Sequence, residues 1–406
     1  MRFTQFPAFR SFQYRAFRFL WVSSFLWAAG NWMQRLAVGW LVLQSTGSPF
    51  AVATVYAFNF MPNLFLGPIV GIVLDRVNRK HLLMGVHALG ALTCLTLATI
   101  VLTDRDETWL VLLLAGVFGV SVSFNIPTIP TLVFDVVDPR DALNANALRS
   151  MGQRTMGIMG AASGGVLIGV VGVGGTILVA GVLLTLAMAN TAMMDYQRRT
   201  VIAGAGSVIH QIWEGFRYFG SNGGIASLLV AAMVAEAFGF GALSLLPFFA
   251  DEDFLDVGSK GLGVMNAAVG LGGGIAGLML AIFARQGRRG LILALAFIMY
   301  GVFIGIFSRS DIFLFSFAAL LGFGFAAGTF DMTLVVLLQS NVPDQMRGRV
   351  MGAWTLAIGM GPVGALILGV LGENFGVRSA LGVGSLILLG SSLSVAFLLP
   401  YIRRLP

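Results

Sequence analysis

Gly67-Pro-Ile-Val-Gly-Ile-Val-Leu-Asp-Arg-Val-Asn-Arg-Lys80 runs apolar for its first eight residues and then closes in five charged or strongly polar ones, Asp75, Arg76, Asn78, Arg79 and Lys80. Apolar density of this kind belongs in hydrocarbon, and basic residues at the exit of a span collect on the cytoplasmic side. The stretch therefore reads as a membrane helix leaving the bilayer at its basic face. Gly67 and Gly71 add small residues of the type that let helices approach closely in lipid.

The remainder of the chain agrees. Of 406 residues 57% are hydrophobic and 11% charged, with a mean hydropathy of +0.88, too apolar for a soluble domain of this length. Uninterrupted apolar runs of about twenty residues recur, the length a helix needs to cross the hydrocarbon core, whereas a membrane β-barrel would alternate apolar and polar residues. In lipid each backbone polar group must bond within its own helix, so repeated runs predict an all-α bundle. The net charge of +7 is spread over short loops, where it sets topology and offers nothing compact to nucleic acid. Cys94, the single cysteine, excludes an internal disulfide and a Cys-rich metal site. Met1 to Arg18 is basic and aromatic without a small-residue cleavage site, so the first helix is expected to be retained.

The apolar runs fall at about 19–43, 50–74, 81–103, 108–133, 146–170, 173–194, 224–249, 261–284, 289–308, 311–338, 348–370 and 376–401, about twelve spans. Odd-numbered connections, such as Thr103–Thr108 and Asp251–Lys260, are neutral or acidic in net charge. Even-numbered ones and the span ends beside them carry Arg76, Arg79, Lys80, Arg140, Arg149, Arg154, Arg198, Arg199, Arg285, Arg288, Arg289, Arg347 and Arg349. That asymmetry places both termini in the cytoplasm and requires an even number of spans. The longest connection divides the chain into two six-helix bundles, residues 1–194 and 224–406, joined by a linker at 195–223. Within the linker, Ser207–Phe219 has the periodicity of an interfacial amphipathic helix. The halves also echo each other at an offset of about 200 residues. A proline turn with an acidic neighbour, at Asp138-Pro-Arg140 and Val342-Pro-Asp-Gln-Met-Arg347, precedes a glycine cluster, Gly160–Gly165 or Gly359–Gly364.

Three signals resemble the major facilitator superfamily. The opening stretch is similar to its Gly-x-x-x-Asp-Arg-x-Gly-Arg-Arg/Lys loop between spans 2 and 3, with Asn78 in place of the glycine. Asn tolerates a left-handed backbone, so a tight turn is expected there. The resemblance implies a cytoplasmic gate of Gly71, Asp75, Arg76, Arg79 and Lys80, with Asp75 facing the start of span 11 near Arg347 and Arg349. Secondly, Gly157-Ile-Met-Gly-Ala-Ala-Ser-Gly-Gly165 in span 5 resembles the antiporter motif Gly-x-x-x-Gly-Pro-x-x-Gly-Gly. Met156 and Ala161 depart from that motif, and a proline stands at the related place in the second half, Pro362. Gly157, Gly160, Gly164 and Gly165 are expected to pack against a neighbouring helix, with the glycine-rich eighth span as the partner. Thirdly, Asn125-Ile-Pro127, Asp135, Asn144-Ala-Asn-Ala-Leu148 and Val342-Pro-Asp-x-x-Arg347-Gly-Arg349 resemble the branch of enterobactin exporters and multidrug and macrolide efflux proteins.

Charges at membrane depth are costly unless they face a cavity or a partner. Three fall there, Arg35 in span 1, Glu236 in span 7 and Asp331 in span 10, while Arg154 belongs to the basic end of span 5. Asn31, Gln34 and Arg35 share one helical face, and Asn125 lies on span 4. The resemblance implies that spans 1, 4, 7 and 10 line a central cavity. Glu236 or Asp331 is then expected to titrate, with Arg35 as alternating charge partner or anion contact; a static ion pair is the other reading. The arginine motif usual in span 4 of the family is missing, since Leu114–Phe124 has no basic residue. His87 and His210 read as structural or interfacial, and aromatics such as Trp27, Trp32, Phe60, Phe240, Phe330 and Trp354 as packing residues or substrate stackers. No P-loop and no catalytic constellation occurs, so neither ATP hydrolysis nor another enzyme activity is expected.

The expectation is a secondary exporter of hydrophobic or amphiphilic small molecules, drug-like or siderophore-like, proton-coupled or coupled to another ion. It is expected to need no cofactor and to work as a monomer in a bacterial-type inner membrane. Uptake or lipid translocation on the same fold, and a transport-inactive sensor or scaffold, remain as alternatives.

Overall fold

The computed structural model of the chain describes residues 7–196, 223–251, 253–283 and 289–398, and every regular element among them is helical. A 3-10 turn, Pro7–Gln13, precedes α1 (Arg15–Thr46), α2 (Pro49–Arg76), α3 (Arg79–Leu102), α4 (Thr108–Val136) and α5 (Ala142–Ala192). Then come α6 (Gly223–Ala250), α7 (Gly258–Phe283), α8 (Arg289–Ser308), α9 (Phe313–Ser340), α10 (Asp344–Ile358), α11 (Gly361–Phe375) and α12 (Val377–Leu398). The linker helix expected at Ser207–Phe219, with His210, lies outside the described residues.

Among the described residues ten helical stretches are long and apolar enough to cross a membrane, with α10 and α11 together making one of them. α5 counts once although it holds 51 residues. At about 1.5 Å per residue that is some 76 Å, more than twice a hydrocarbon core of about 30 Å. Gly172 breaks it at φ 75°, a left-handed conformation that only glycine adopts without strain, so α5 is two spans meeting at a hairpin. α1 stays outside the ten with Asn31, Gln34 and Arg35 near its middle, yet its 32 residues exceed a bilayer crossing. With α1 and both arms of α5 the count returns to the expected twelve.

Two compact units form, Met1–Leu41 with Phe58–Gly204 and Val42–Ala57 with Ala205–Pro406. Residues 42–57 join the second unit for a local reason. Ser48 Oγ donates to Glu373 of α11 at 2.7 Å, Phe50 N–H donates to the same carboxylate at 3.4 Å, and Gly372 leaves room for Pro49.

Each unit is held by backbones brought together at glycine. In the first, Gly119 of α4 lies directly on the Asn59 backbone of α2. A Cβ at Gly160 of α5 would stand 3.0 Å from the Ala29 carbonyl oxygen of α1, and one at Gly164 would stand 3.3 Å from Met33 Cα. In the second unit Gly324 of α9 lies on the Val269 backbone of α7, and Gly364 of α11 on the Ala237 backbone of α6. The pairing is the same in both units: fourth span on second and fifth on first, then tenth on eighth and eleventh on seventh. The six-plus-six repeat is therefore written in the contacts.

Two expectations need correction. Gly160 and Gly164 pack against α1, not against the eighth span. Ala28-Ala29-Gly30 gives α1 its own small face, and the eighth-span glycines Gly272 and Gly273 are taken up by α9 within the second unit. Asn78, moreover, does not adopt a left-handed turn. It has φ −70° and ψ 114°, and its side chain accepts the Lys80 and His81 N–H groups, so it is the N-cap of α3. The helix break associated with proline occurs only in the second half, where α10 ends at Ile358 and Pro362 opens α11; Ala161 lets the first arm of α5 run on.

Replacing Gly324 with Ala should abolish the recovery of folded protein, because the new methyl meets backbone that has no rotamer to give. Gly382→Ala, where a Cβ meets nothing within 4 Å, should be neutral. Monodisperse yield after detergent extraction distinguishes the two, and equal yields would refute the close-packing account.

Candidate functional site

At the junction that opened the sequence argument, Arg79 Nη1 donates to both Asp135 oxygens of α4, at 3.0 and 2.9 Å. Tyr196 Oη donates to Asp135 at 2.9 Å. The Asp135 side chain is 4% exposed and that of Arg79 13%, so the pair is largely desolvated and fixes α3 to α4. Arg76 is exposed, Lys80 half-buried, and a Cβ at Gly71 would meet nothing within 4 Å. Asp75, Arg347 and Arg349 lie on helices, but their side chains fall outside the described residues.

The N-terminal segment is tied to the same unit. Arg10 Nε pairs with Asp141 at 3.2 Å, Gln13 Nε2 and Tyr14 Oη donate to its carboxylate at 3.1 and 2.8 Å, and Ser11 Oγ donates to Asn144 Oδ1 at 2.6 Å. In sequence this segment is only a basic, aromatic N-terminus, because partners some 130 residues apart leave no local signal.

The candidates of the first unit separate into two environments. Asn125, expected on a cavity wall, is 1% exposed and shares a hydrogen bond with His87 Nε2 at 3.3 Å. His87 Nδ1 shares another with Thr191 Oγ1 at 3.3 Å, and Thr191 Oγ1 reaches Ser23 Oγ at 2.9 Å, where Asn190 Nδ2 also donates at 2.8 Å. This polar chain joins α1, α3, α4 and α5 inside the unit, so Asn125 and His87 satisfy each other in the interior. Arg35 is placed differently. Its guanidinium lies 5.0 Å from the Trp32 ring and 4.9 Å from that of Phe60, a cation–π sandwich. Gly157 makes the sandwich possible, since a Cβ there would stand 2.8 Å from Trp32 Nε1. Asn31 is half-buried beside it, whereas Gln34 is 2% exposed with Oε1 lacking a hydrogen-bond partner among the described residues. Gly165 is buried in the same arm of α5.

Within the second unit, Glu236 and Asp331 line a single cleft, together with Phe240, Tyr300, Phe330 and Trp354. They are within electrostatic reach of one another. Glu236 opens a π-helical turn, Glu236–Phe240, which interrupts α6 at this point. Such turns leave backbone out of the regular ladder and cluster at working sites. Phe330, a candidate stacker, is 3% exposed and packs on Phe297 with centroids 4.7 Å apart, so it is wall rather than docking surface. Tyr300 was missed by sequence reading, being one tyrosine in a Phe-rich span. Among the described residues no group of three or more His, Cys, Asp or Glu is placed to hold a metal ion.

The profile of a family described as "Transmembrane secretion effector" matches residues 6–404. The chain is 24% identical over 340 residues to the enterobactin exporter EntS of Shigella flexneri, covering 80% of this chain and 78% of that protein. It is 19% identical over 354 residues to macrolide efflux protein A of Streptococcus pyogenes, covering 85% and 86%. Its fold is similar to that of the nucleoside transporter NupG, with a TM-score of 0.73 at 17% identity over 97% of this chain and 100% of that one. A bacterial homologue of the lysosomal transporter Spinster superposes with a TM-score of 0.72 at 14% identity over 96% and 97%.

Asp135→Asn leaves the Arg79 guanidinium without its countercharge and should destabilise the protein by about 3 kcal/mol. The combined change Arg79→Met with Asp135→Leu should recover part of that loss, because it removes both charges. Thermal unfolding in detergent reads both, and an unaltered midpoint for Asp135→Asn would show that the pair is not structural.

Proposed function

The chain belongs to the transmembrane secretion effector family of major facilitator transporters, and from that premise we propose that it is a proton-coupled secondary exporter of hydrophobic or amphiphilic small molecules. The observation that carries the reading is the placement of Glu236 and Asp331, carboxylates on two different membrane-crossing helices, in one cleft. Two like charges so placed disfavour simultaneous ionisation, and a group poised in that way can take up a proton from one side and release it to the other. Outward direction is supported by the relatives, an enterobactin exporter and a macrolide efflux protein.

In this reading the two bundles work by alternating access. Arg35, held over aromatic faces, serves as the alternating partner of the carboxylates or as an anion contact for substrate. The gate comprises Gly71, Asp75, Arg76, Arg79 and Lys80 with Arg347 and Arg349, and it lies on the cytoplasmic side, where the basic connections gather. Both termini share that side of an inner membrane, the protein acts as a monomer, and it performs no covalent chemistry of its own.

Reconstituted protein should expel amphiphilic dyes when a pH gradient is imposed and stop when the gradient is collapsed. Glu236→Gln and Asp331→Asn should each lower gradient-driven efflux at least tenfold, about 1.4 kcal/mol in the coupled step, while substrate exchange without a gradient persists. A Glu236→Gln protein with full gradient-driven efflux would remove that carboxylate from coupling, and failure of the whole dye panel would count against export of amphiphiles.

A further inference from the structure

Glu373 stands exposed in the last turn of α11, where a carboxylate is badly placed. The C-terminus of a helix is the negative end of its dipole, and no basic residue lies in that turn. The structure supplies a positive partner from another helix. Ser48, the residue before α2, donates its Oγ hydrogen to Glu373 at 2.7 Å and accepts the Ala51 N–H at 3.1 Å, and the Phe50 N–H donates to the same carboxylate at 3.4 Å. Glu373 thus takes up an amide hydrogen that the first turn of α2 leaves unpaired, and holds the side chain that caps another.

Behind this clasp the two helices lie backbone on backbone. Pro49, Ala53 and Tyr56 follow one face of α2, at i, i+4 and i+7, and meet Gly372, Gly369 and Gly361 of α11 in that order. A Cβ on Gly372 would stand 3.0 Å from Pro49 Cβ, and one on Gly369 would stand 2.5 Å from Ala53 Cβ. One on Gly361 would stand 3.9 Å from Tyr56 Oη and 3.8 Å from the Glu236 carbonyl oxygen, so the seat runs from the clasp down to the turn that carries Glu236. Pro49 and Ala53 against glycine leave no long side chain to disengage, and the hydrogen bond to Glu373 is exposed, where water replaces it on separation.

The tip of the α1–α2 hairpin belongs to two bodies. Val42–Ala57 is part of the second compact unit, whereas the remaining lengths of α1 and α2 are part of the first. Both helices run on across that boundary, as Arg15–Thr46 and Pro49–Arg76. A tip carried on two such rods cannot stay seated on α11 when the first unit turns against the second, as alternating access requires. We infer that Glu373 is the clasp of a gate at the end of α2 opposite Asp75 and Arg76: it holds the first turn of α2 on the glycine face of α11 and lets go when the cavity opens toward that side. The inference rests on the alternating-access reading and adds the residue that holds one end closed.

The test joins Ser48→Cys to Glu373→Cys with a short bis-methanethiosulfonate in the reconstituted full chain; Cys94 is 0% exposed and stays in place. Driven dye efflux should fall roughly tenfold on cross-linking and return when the bridge is reduced, with each single-cysteine protein unaltered by the reagent. Independently, Pro49→Cys, buried in the seat, should react with a membrane-impermeant thiol reagent about fivefold faster once Glu373→Ala is added, at an unchanged unfolding temperature. Cross-linked protein that expels dye as fast as the reduced form would overturn the clasp and leave the export reading standing, since the tip would then stay docked throughout the cycle. Failure of the reagent to join the two cysteines would also overturn it, as would equal labelling of Pro49→Cys with and without Glu373. Faster labelling on removal of Glu373, in a protein that expels none of the dyes, would support the clasp and remove the export reading.

Discussion

Close approach of helix backbones at glycine is the constraint from which the rest of this protein follows. Lipid tails are as apolar as leucine, so burial of side chains gives helices in a bilayer little reason to associate, and dispersion between surfaces that fit must supply it. Here Gly160 and Gly164 seat α5 on α1, and Gly364 seats α11 on α6. Where a Cβ would meet carbonyl oxygen or amide nitrogen, no rotamer change can relieve it. These contacts therefore fix the spacing of the helices that meet at them.

The same contacts place the chemistry. Gly157 admits the Trp32 ring, and Trp32 with Phe60 holds the Arg35 guanidinium over two aromatic faces. Gly239 admits the Tyr300 ring against the π-helical turn that begins at Glu236. In each unit a glycine at a helix crossing determines where one polar group at membrane depth stands. Charged and hydroxyl-bearing side chains that would otherwise be a burden on insertion are kept in fixed places, which is the condition for using them.

Much of the fold was legible in the sequence because each part of it rests on a local quantity. Span length, the alternation of charge between connections and the 200-residue echo of proline turn and glycine cluster can all be read along one strand of text. Arg35, Glu236 and Asp331 stood out for the same reason, as charges inside apolar runs. Asn78 departs from the family pattern, and the structure uses it as an N-cap and not as a left-handed turn. The residue is short and polar enough to serve either a left-handed turn or an N-cap, and only the backbone angles separate the two.

Sequence alone determined that the chain crosses a membrane about twelve times in two related halves, because burial in hydrocarbon forces length, apolarity and charge asymmetry onto the text itself. Partnership was decided by the tertiary structure. Glycines of span 5 lie on span 1 rather than on span 8, Asn125 turns to His87 inside the first unit, Asp141 gathers an N-terminal segment 130 residues away, and Tyr300 lines one cleft with two carboxylates from other helices. Each of these depends on which face of a helix meets which neighbour. A glycine or a small polar residue looks the same in sequence whichever neighbour it touches, and the choice is made only when all the backbones have found spacings that fit together.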